Sequence, residues 1–361
     1  MIVTFGTYDA ARHPRIGVII EGLRAHGQQV VEVNRPLGFT TAERVRMLQQ
    51  PWRLPLLLVR LVACWAGLVG GAARARRAHG APRAVVVGYM GHFDVLLARV
   101  VYPRTTIVLD HLIFAGDTAT DRGAAGLRVR LLRSLDRLAI RCADVVVTDT
   151  EEHRQMLPDG ARGLVVPVGA PAAWFDAGDR RASFVDGPLR VAFFGLYTPL
   201  QGAPVIGEAL RLASERGVEL EVTMVGTGQD LAATKAATGD LPHVSWLDWV
   251  APDQLPALVA DHDVCLGIFS DTPKGLRVVP NKVYQGIAAG CVVVTSDTAP
   301  QRRQVGEHAE LVHPADPAAL AERLAWLADR EHLAEASRRS EAGRAATAPG
   351  AVVEPLVEAL A

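Results

Sequence analysis

Residues 271–298 read DTPKGLRVVPNKVYQGIAAGCVVVTSDT. A loop rich in charge and proline, 271–280, leads into a run of small residues, 281–289, whose spacing predicts a short helix. Gly290 ends that helix, and 291–295 is an apolar, β-branched run that reads as a buried strand. The chain has three lysines, Lys235, Lys274 and Lys282, and arginine supplies the rest of its 38 basic residues. Two of the three fall in this segment. A compact ammonium at a helix start, beside backbone N–H groups without helical partners, is how a fold holds a phosphate.

Outward from this segment, short apolar runs alternate with helix-period stretches. Strand-like runs lie at 2–5, 30–33, 84–87, 106–109, 145–148 and 164–167, then at 189–194, 219–225, 243–247 and 264–268. Helical periods fall at 16–26, 127–142, 204–216, 252–260, 314–330, 331–346 and 352–361. In 127–142, leucines at 127, 131, 132, 135 and 138 alternate with arginines, the pattern of an amphipathic helix. Continuous apolar runs are the mark of parallel strands buried on both faces, and the alternation predicts an α/β fold of doubly wound parallel sheets. The loop-like stretch 171–187 reads as a hinge. It divides a Rossmann-like domain, 1–170, from a second, 188–345. A tail, 346–361, is expected to pack back on the first. Two such domains facing each other leave a cleft at the carboxyl ends of their strands, where ligands bind.

A chain of 361 residues suits two domains, and 49% hydrophobic residues supply two cores. The net charge of −1 gives no pull toward nucleic acid, and no nucleic-acid partner is expected. The four cysteines, Cys64, Cys142, Cys265 and Cys291, form no C-x-x-C pair. They read as buried thiols in a reducing, cytoplasmic compartment, and no metal site is expected. The chain opens on a strand-like run without a basic head, so no signal peptide is expected.

Residues 54–73 are almost all apolar, broken by Arg60 and flanked by Arg44, Arg46 and Arg53 before and Arg74, Arg76 and Arg77 after. The length approaches that of a membrane span, but arginines on both sides contradict the charge asymmetry of one. The plainest reading is a buried helix of the first domain. A helix lying in a membrane surface, or lining an apolar cleft, stays open beside it.

Several turns lie at predicted strand ends. Gly195 opens a turn that runs through Gln201 and Gly202 to a helix, a place where backbone approaches a ligand and a helix start offers N–H groups. Gly226, Thr227 and Gly228 follow the next strand. No third glycine opens a helix there, so the dinucleotide fingerprint is missing and a nicotinamide enzyme is disfavoured. Trp246 reads as a core aromatic, while Trp249 precedes a helix and suits a base. In the first half, His92 and His111 stand at strand ends and are expected to face the cleft. Arg12, His13 and Arg15 lie after the first strand, facing phosphates or solvent.

The order of Phe194-Gly195, Gln201-Gly202, Val225-Gly226-Thr227-Gly228, 244–249, 280–285 and 289–296 resembles the nucleotide-sugar half of GT-B glycosyltransferases, specifically glycosyltransferase family 4. The match covers 188–330. The first half resembles the family more loosely, through the Gly6 loop, the Asp110-His111 strand end and Asp144 heading a strand. The resemblance implies retaining transfer of a sugar from a nucleoside diphosphate sugar to a hydroxyl, with no metal and no cofactor beyond the donor. The leaving phosphate helps deprotonate the acceptor, so no protein nucleophile is required. Gly195 would approach the diphosphate, with Gly6, Gly202 and Asn281 at the same opening. Gly226–Gly228 and Trp249 would bound the base, and His111 would lie near sugar and phosphate. Gln285 occupies the second acidic position of the family's Glu-x7-Glu motif, which holds the ribose.

The chain departs from the pattern at three places. The second acid is Gln285, whose amide still bonds hydroxyls. The first acidic position is Arg277. The basic residue before the glycine of the phosphate turn is Gln201. Lys282, with Lys274 or Arg277, is expected to supply the missing positive charge. The acceptor suggested by 52–77 is lipid-like or a small natural product, with a peripheral membrane contact through the same residues. Two other readings stay open: a catalytically impaired binding or auxiliary subunit, and a sugar-nucleotide epimerase of the same shape.

Overall fold

The apolar runs assemble into two six-stranded sheets whose pairings are all parallel. The computed structural model describes residues 1–10, 13–39, 54–121, 123–181 and 187–361. The first sheet joins β1 (Ile2–Gly6), β2 (Val30–Asn34), β3 (Ala84–Val87), β4 (Thr106–Asp110), β5 (Val145–Thr148) and β6 (Gly163–Val165) in the order β2-β1-β3-β4-β5-β6. The second joins β7 (Leu189–Phe194), β8 (Leu220–Val225), β9 (Val244–Leu247), β10 (Val264–Leu266), β11 (Val292–Ser296) and β12 (Glu310–Val312) in the order β12-β11-β10-β7-β8-β9. Val264 lies between Val191 and Val292 in the ladder, so valine meets valine across the centre of that sheet. Central strands are covered on both faces, which is why their sequences are apolar without alternation. Strand order reverses between β1 and β3 and again between β7 and β10. Crevices at the carboxyl ends therefore open there.

Helices cover both faces. The first lobe carries α1 (Pro14–Ala25), α2 (Leu54–His79), α3 (Asp94–Val101), α4 (Ala115–Asp121), α5 (Leu127–Arg141) and α6 (Glu151–Arg154). The linker holds α7 (Ala172–Asp179). The second lobe carries α8 (Ala203–Glu215), α9 (Leu231–Thr238), α10 (Leu255–Ala260), α11 (Asn281–Ala288), α12 (Ala299–Gln304), α13 (Pro317–Leu327) and α14 (Arg330–Arg344). The final helix, α15 (Pro349–Ala359), returns to the first lobe and lies on α1. Val352, Val353 and Leu356 join the core cluster of Ile2, Ile16 and Ile19. The approach is close: a Cβ on Gly22 would stand 2.2 Å from the Pro349 carbonyl oxygen.

Four expectations need correction. The stretch 171–187 is not all loop, since α7 buries Trp174 and Ala177 and stacks Trp174 on Phe194 at 5.4 Å. Eight residues with two aspartates show little period, but Pro171 before the helix and two well-packed side chains suffice to hold it. Residues 182–186 lie outside the described residues. The long apolar segment is a helix, but not a buried one. In α2, Leu68, Ala72 and Ala75 pack inward while Leu56, Leu58, Val59 and Val62 are exposed. It is the one described helix long and apolar enough to cross a membrane by length and composition, and 17% of its most apolar window is buried. Residues 52 and 53 lie outside the described residues. On α5, Leu127, Leu131 and Leu138 face outward, while Val129, Asp136, Ala139 and Ile140 face in. The helix predicted for 252–260 begins only at Leu255, after a turn at 252–254.

Candidate active site

The crevice of the second sheet is built by two βα turns that touch through backbone. Gly195 leaves β7 with φ +141°, and Gly226 leaves β8 with φ +122°. A Cβ on Gly226 would fall 1.9 Å from the Gly195 carbonyl oxygen, so only glycine allows the two turns to nest. Gly226→Ala is expected to destabilise the protein by about 1–3 kcal/mol through overpacking, and more from its φ. A melting curve superimposable on that of the unchanged protein would rule this out.

Lys282 ends at the same place. Helix α11 starts after Pro280 and buries Lys282 down to 4% exposure. Its Nζ donates to Gln201 Oε1 at 2.6 Å and lies 3.7 Å from the Phe193 ring centroid. It stands 3.2 Å from where a Gly195 side chain would begin. Burial pushes the ammonium down from 10.5 to about 7, with Cys265 opposing the shift slightly. Neutral hydrogen bonding and a π face compensate this amine only in part. The Phe193-Phe194 pair before Gly195 was the sequence signal for that platform, and it was missed. An anion entering over Gly195 would meet a desolvated positive charge.

Among the remaining second-lobe candidates, Gln201 touches Lys282 and the turn 226–228 packs on Gly195 and Tyr197. Gln201 closes a short turn, and Gly202 stands at the N-cap of α8. Thr227 accepts through its carbonyl from Tyr197 N–H at 3.0 Å, joining the two turns again. Gly228 packs against Tyr197, where a Cβ would be 2.3 Å from its carbonyl oxygen. Trp249 is 72% exposed beyond β9, a free aromatic face. Trp246, expected in the core, is half-buried with Lys235 Nζ 5.1 Å above its ring. Asn281 begins α11, and Gln285 is buried one turn further on.

Lys274 and Arg277 do not join Lys282, a correction to their expected role beside it. Both reach to the first lobe. Lys274 Nζ donates to Thr118 Oγ1 at 2.8 Å, and Arg277 Nη2 bonds Asp117 Oδ1 at 2.8 Å. Thr150 Oγ1 donates to the Arg277 carbonyl, and Gln304 Nε2 donates to the Asp149 carbonyl. The loop 271–280 is therefore a clasp between lobes. A pocket of about 510 Å³ opens beside it, lined among others by Phe114, Asp117, Asp136, Met156 and Arg277. Nothing in the sequence around Asp117 marks it as the partner of Arg277.

First-lobe candidates are arranged differently from expectation. Gly6 ends β1, and the following Thr7 N–H and hydroxyl both donate to Asp94 Oδ2, at 2.7 and 2.8 Å. His111 and His92 are both buried rather than open to the cleft. The cause is Asp136, which α5 brings beneath them. His92 Nε2 lies 2.9 Å from Asp136 Oδ1, and the Ala115 and Gly116 amides donate to the same carboxylate. His111 Nε2 stays 3.8 Å from Asp136 without a hydrogen bond. Burial first, then His92, pushes His111 down to about 3, so it is a neutral ring. Burial alone would raise Asp136, but the His92 bond and the two amides hold it below the usual carboxylate range. Among the described residues, His92, His111 and Asp136 are the group whose spacing could hold a metal ion. Arg15 faces neither phosphate nor solvent: it is buried against Asp110 and the carbonyls of Val166 and Pro167. His13 stacks on Tyr89 at 4.2 Å, and Arg12 lies outside the described residues.

Two parallel-sheet Rossmann-like lobes, clasped across a crevice at the strand-order reversal, give the chain the GT-B fold. Residues 188–330 match the family described as glycosyl transferases group 1. A phosphatidyl-myo-inositol mannosyltransferase of Mycobacterium leprae is 28% identical over 195 residues, 53% of this chain and 51% of that protein. The chain's match thus spans about half the length of that curated relative. Two solved structures share the fold over nearly the whole chain. Sucrose-phosphate synthase from Thermosynechococcus elongatus has a TM-score of 0.66 at 14% identity, covering 99% of this chain and 97% of that one. The Anabaena protein HepE in complex with UDP has a TM-score of 0.63 at 14% identity, covering 99% and 98%.

Proposed function

We propose that the protein transfers a sugar from a nucleoside diphosphate sugar to a hydroxyl acceptor, with retention of configuration and without a metal in the transfer step. The observation that carries this reading is Lys282, whose desolvated Nζ stands against Gly195 at the strand-order reversal of the second sheet. A positive group preorganised in a dry site stabilises charge that develops on a leaving diphosphate. The diphosphate would lie over Gly195 toward the start of α8. The base would stack toward Trp249, and the Gln285 amide would bond the ribose. The leaving phosphate would then accept the acceptor's proton on the same face. UDP bound to the Anabaena neighbour and the mannosyltransferase activity of the Mycobacterium leprae relative favour such a donor.

The acceptor we propose is lipid-like or a small natural product, met with a membrane contact through 52–77. The exposed apolar half of α2 supports this, as does the phosphatidylinositol named for that relative. All four cysteines are free thiols, which fits a reducing, cytoplasmic setting.

A panel of uridine, guanosine, thymidine and adenosine diphosphates tests the donor reading. One of them is expected to raise the melting temperature selectively. At a hundredfold excess over its Kd it adds about 2.7 kcal/mol of stability. Melting curves unmoved by all four would remove the reading.

One observation favours a second reading, a non-catalytic subunit. Arg277, at the first acidic position of the motif, is committed to Asp117. Release of nucleoside diphosphate from a sugar nucleotide decides for the enzyme, and tight donor binding without release decides for the subunit.

A further inference from the structure

Helix α5 is built inside out for a helix of a soluble lobe. Its three large exposed leucines are Leu127 at 71%, Leu131 at 62% and Leu138 at 47%. With 3.6 residues per turn, their directions fall within about 40° of one another, so they form a single ridge. Arg128, Arg130 and Arg141 are exposed beside that ridge, while Arg133 and Arg137, also exposed, line the pocket next to the clasp. The helix has one acid, Asp136, and it is buried beneath His92. None of the five arginines makes an ion pair among the described residues. The inward side uses Val129, Ala139 and Ile140 instead.

The ridge is not isolated. Leu68, Ala72 and Ala75 of α2, Val95 and Ala98 of α3, and Ala139 of α5 pack into one cluster against the first sheet. The three helices are one layer. Its outer side also carries Leu56, Leu58, Val59 and Val62 on α2, and Val100 on α3 at 77% exposure. Leucine among outward arginines suits an anionic bilayer. The apolar side chains enter the acyl boundary, and the guanidinium groups stay with the phosphates.

We infer that this three-helix layer, with the α5 ridge as its basic part, is a docking face for a membrane rich in anionic phospholipid. The inference extends the contact proposed for 52–77 to a second helix and names the lipid charge. It is independent of the donor chemistry. Vesicle binding and the diphosphate-induced melting shift can therefore fail separately.

Co-sedimentation of the full chain tests it. One vesicle set is phosphatidylcholine alone, and the other contains about one-third phosphatidylglycerol. The protein is expected to partition at least tenfold better to the anionic set, and to be released at about 1 M salt, where screening reaches about 3 Å. The double variant Leu131→Glu, Leu138→Glu is expected to lose at least tenfold, while keeping its melting shift with nucleoside diphosphate. Leu58→Glu with Val62→Glu should give a similar loss. Equal sedimentation with both vesicle sets, no sedimentation with either, or undiminished binding by the α5 variant would overturn the inference. So would a dimer in solution that the α5 substitutions dissolve, because the face would then belong to a second copy.

Discussion

Lys282→Ala loses about 10²–10³ in kcat/KM for the sugar nucleotide, the effect of removing one preorganised donor from a charge-developing site. The chain does not unfold with it. A buried ammonium opposes folding, so the melting temperature of the variant stays level or rises. The pH dependence fixes the same group. Its folded value of about 7 lies below the ordinary 10.5 because burial disfavours the charged form. Below pH 7 the amine is charged whether the chain is folded or unfolded, and its burial cost is fully present. Between about 7 and 10.5 the unfolded chain holds the proton that the folded chain has released, so stability rises with pH across that window. Lys282→Met removes the slope. Donor binding runs the other way. A diphosphate favours the charged amine and takes up a proton as it binds, so affinity falls by up to about tenfold per pH unit above 7. Full turnover by the alanine variant, or donor affinity flat from pH 6 to 9, would dissociate Lys282 from the diphosphate.

The second large effect is structural. Arg15 and Asp110 form an ion pair in which both side chains are at most 1% exposed. Arg15 also donates to Val166 and Pro167, while Asp110 Oδ2 has no partner. Burial raises Asp110 and Arg15 pulls it back, so the carboxylate depends on its neighbour. Arg15→Ala leaves that charge alone and costs about 3–5 kcal/mol, read as a melting temperature lower by several degrees. The KM for the donor of whatever folds is expected to stay unchanged. A loss of donor affinity at constant stability would instead return Arg15 to the phosphates, where its place after the first strand had suggested it.

The sheets were legible because burial on both faces leaves runs such as 84–87 and 292–296 no polar alternative. The nesting turns at Gly195 and Gly226 were legible for a related reason, since backbone contact admits one residue type. Periodicity was less informative on α5. It reveals a stripe of leucines without saying which side the protein covers, and the covered side here carries Val129, Ala139 and Ile140 instead. The buried state of His92 and His111 was illegible because it depends on Asp136, which is distant in sequence. The same holds for the clasp. Lys274 and Arg277 carry charges suited to phosphate, yet their partners, Thr118 and Asp117, come from a helix whose sequence announces nothing.

The seat of α15 on α1 bears on biosynthesis. The groove that receives Val352, Val353 and Leu356 belongs to strands and helices made first, while its cover is translated more than three hundred residues after α1 begins. Nascent lobes ordinarily mature in the order they emerge. Here the later lobe has all its strands before the earlier one is sealed, so a released chain cut near residue 345 would carry a complete second lobe beside a first whose greasy seam still faces chaperones.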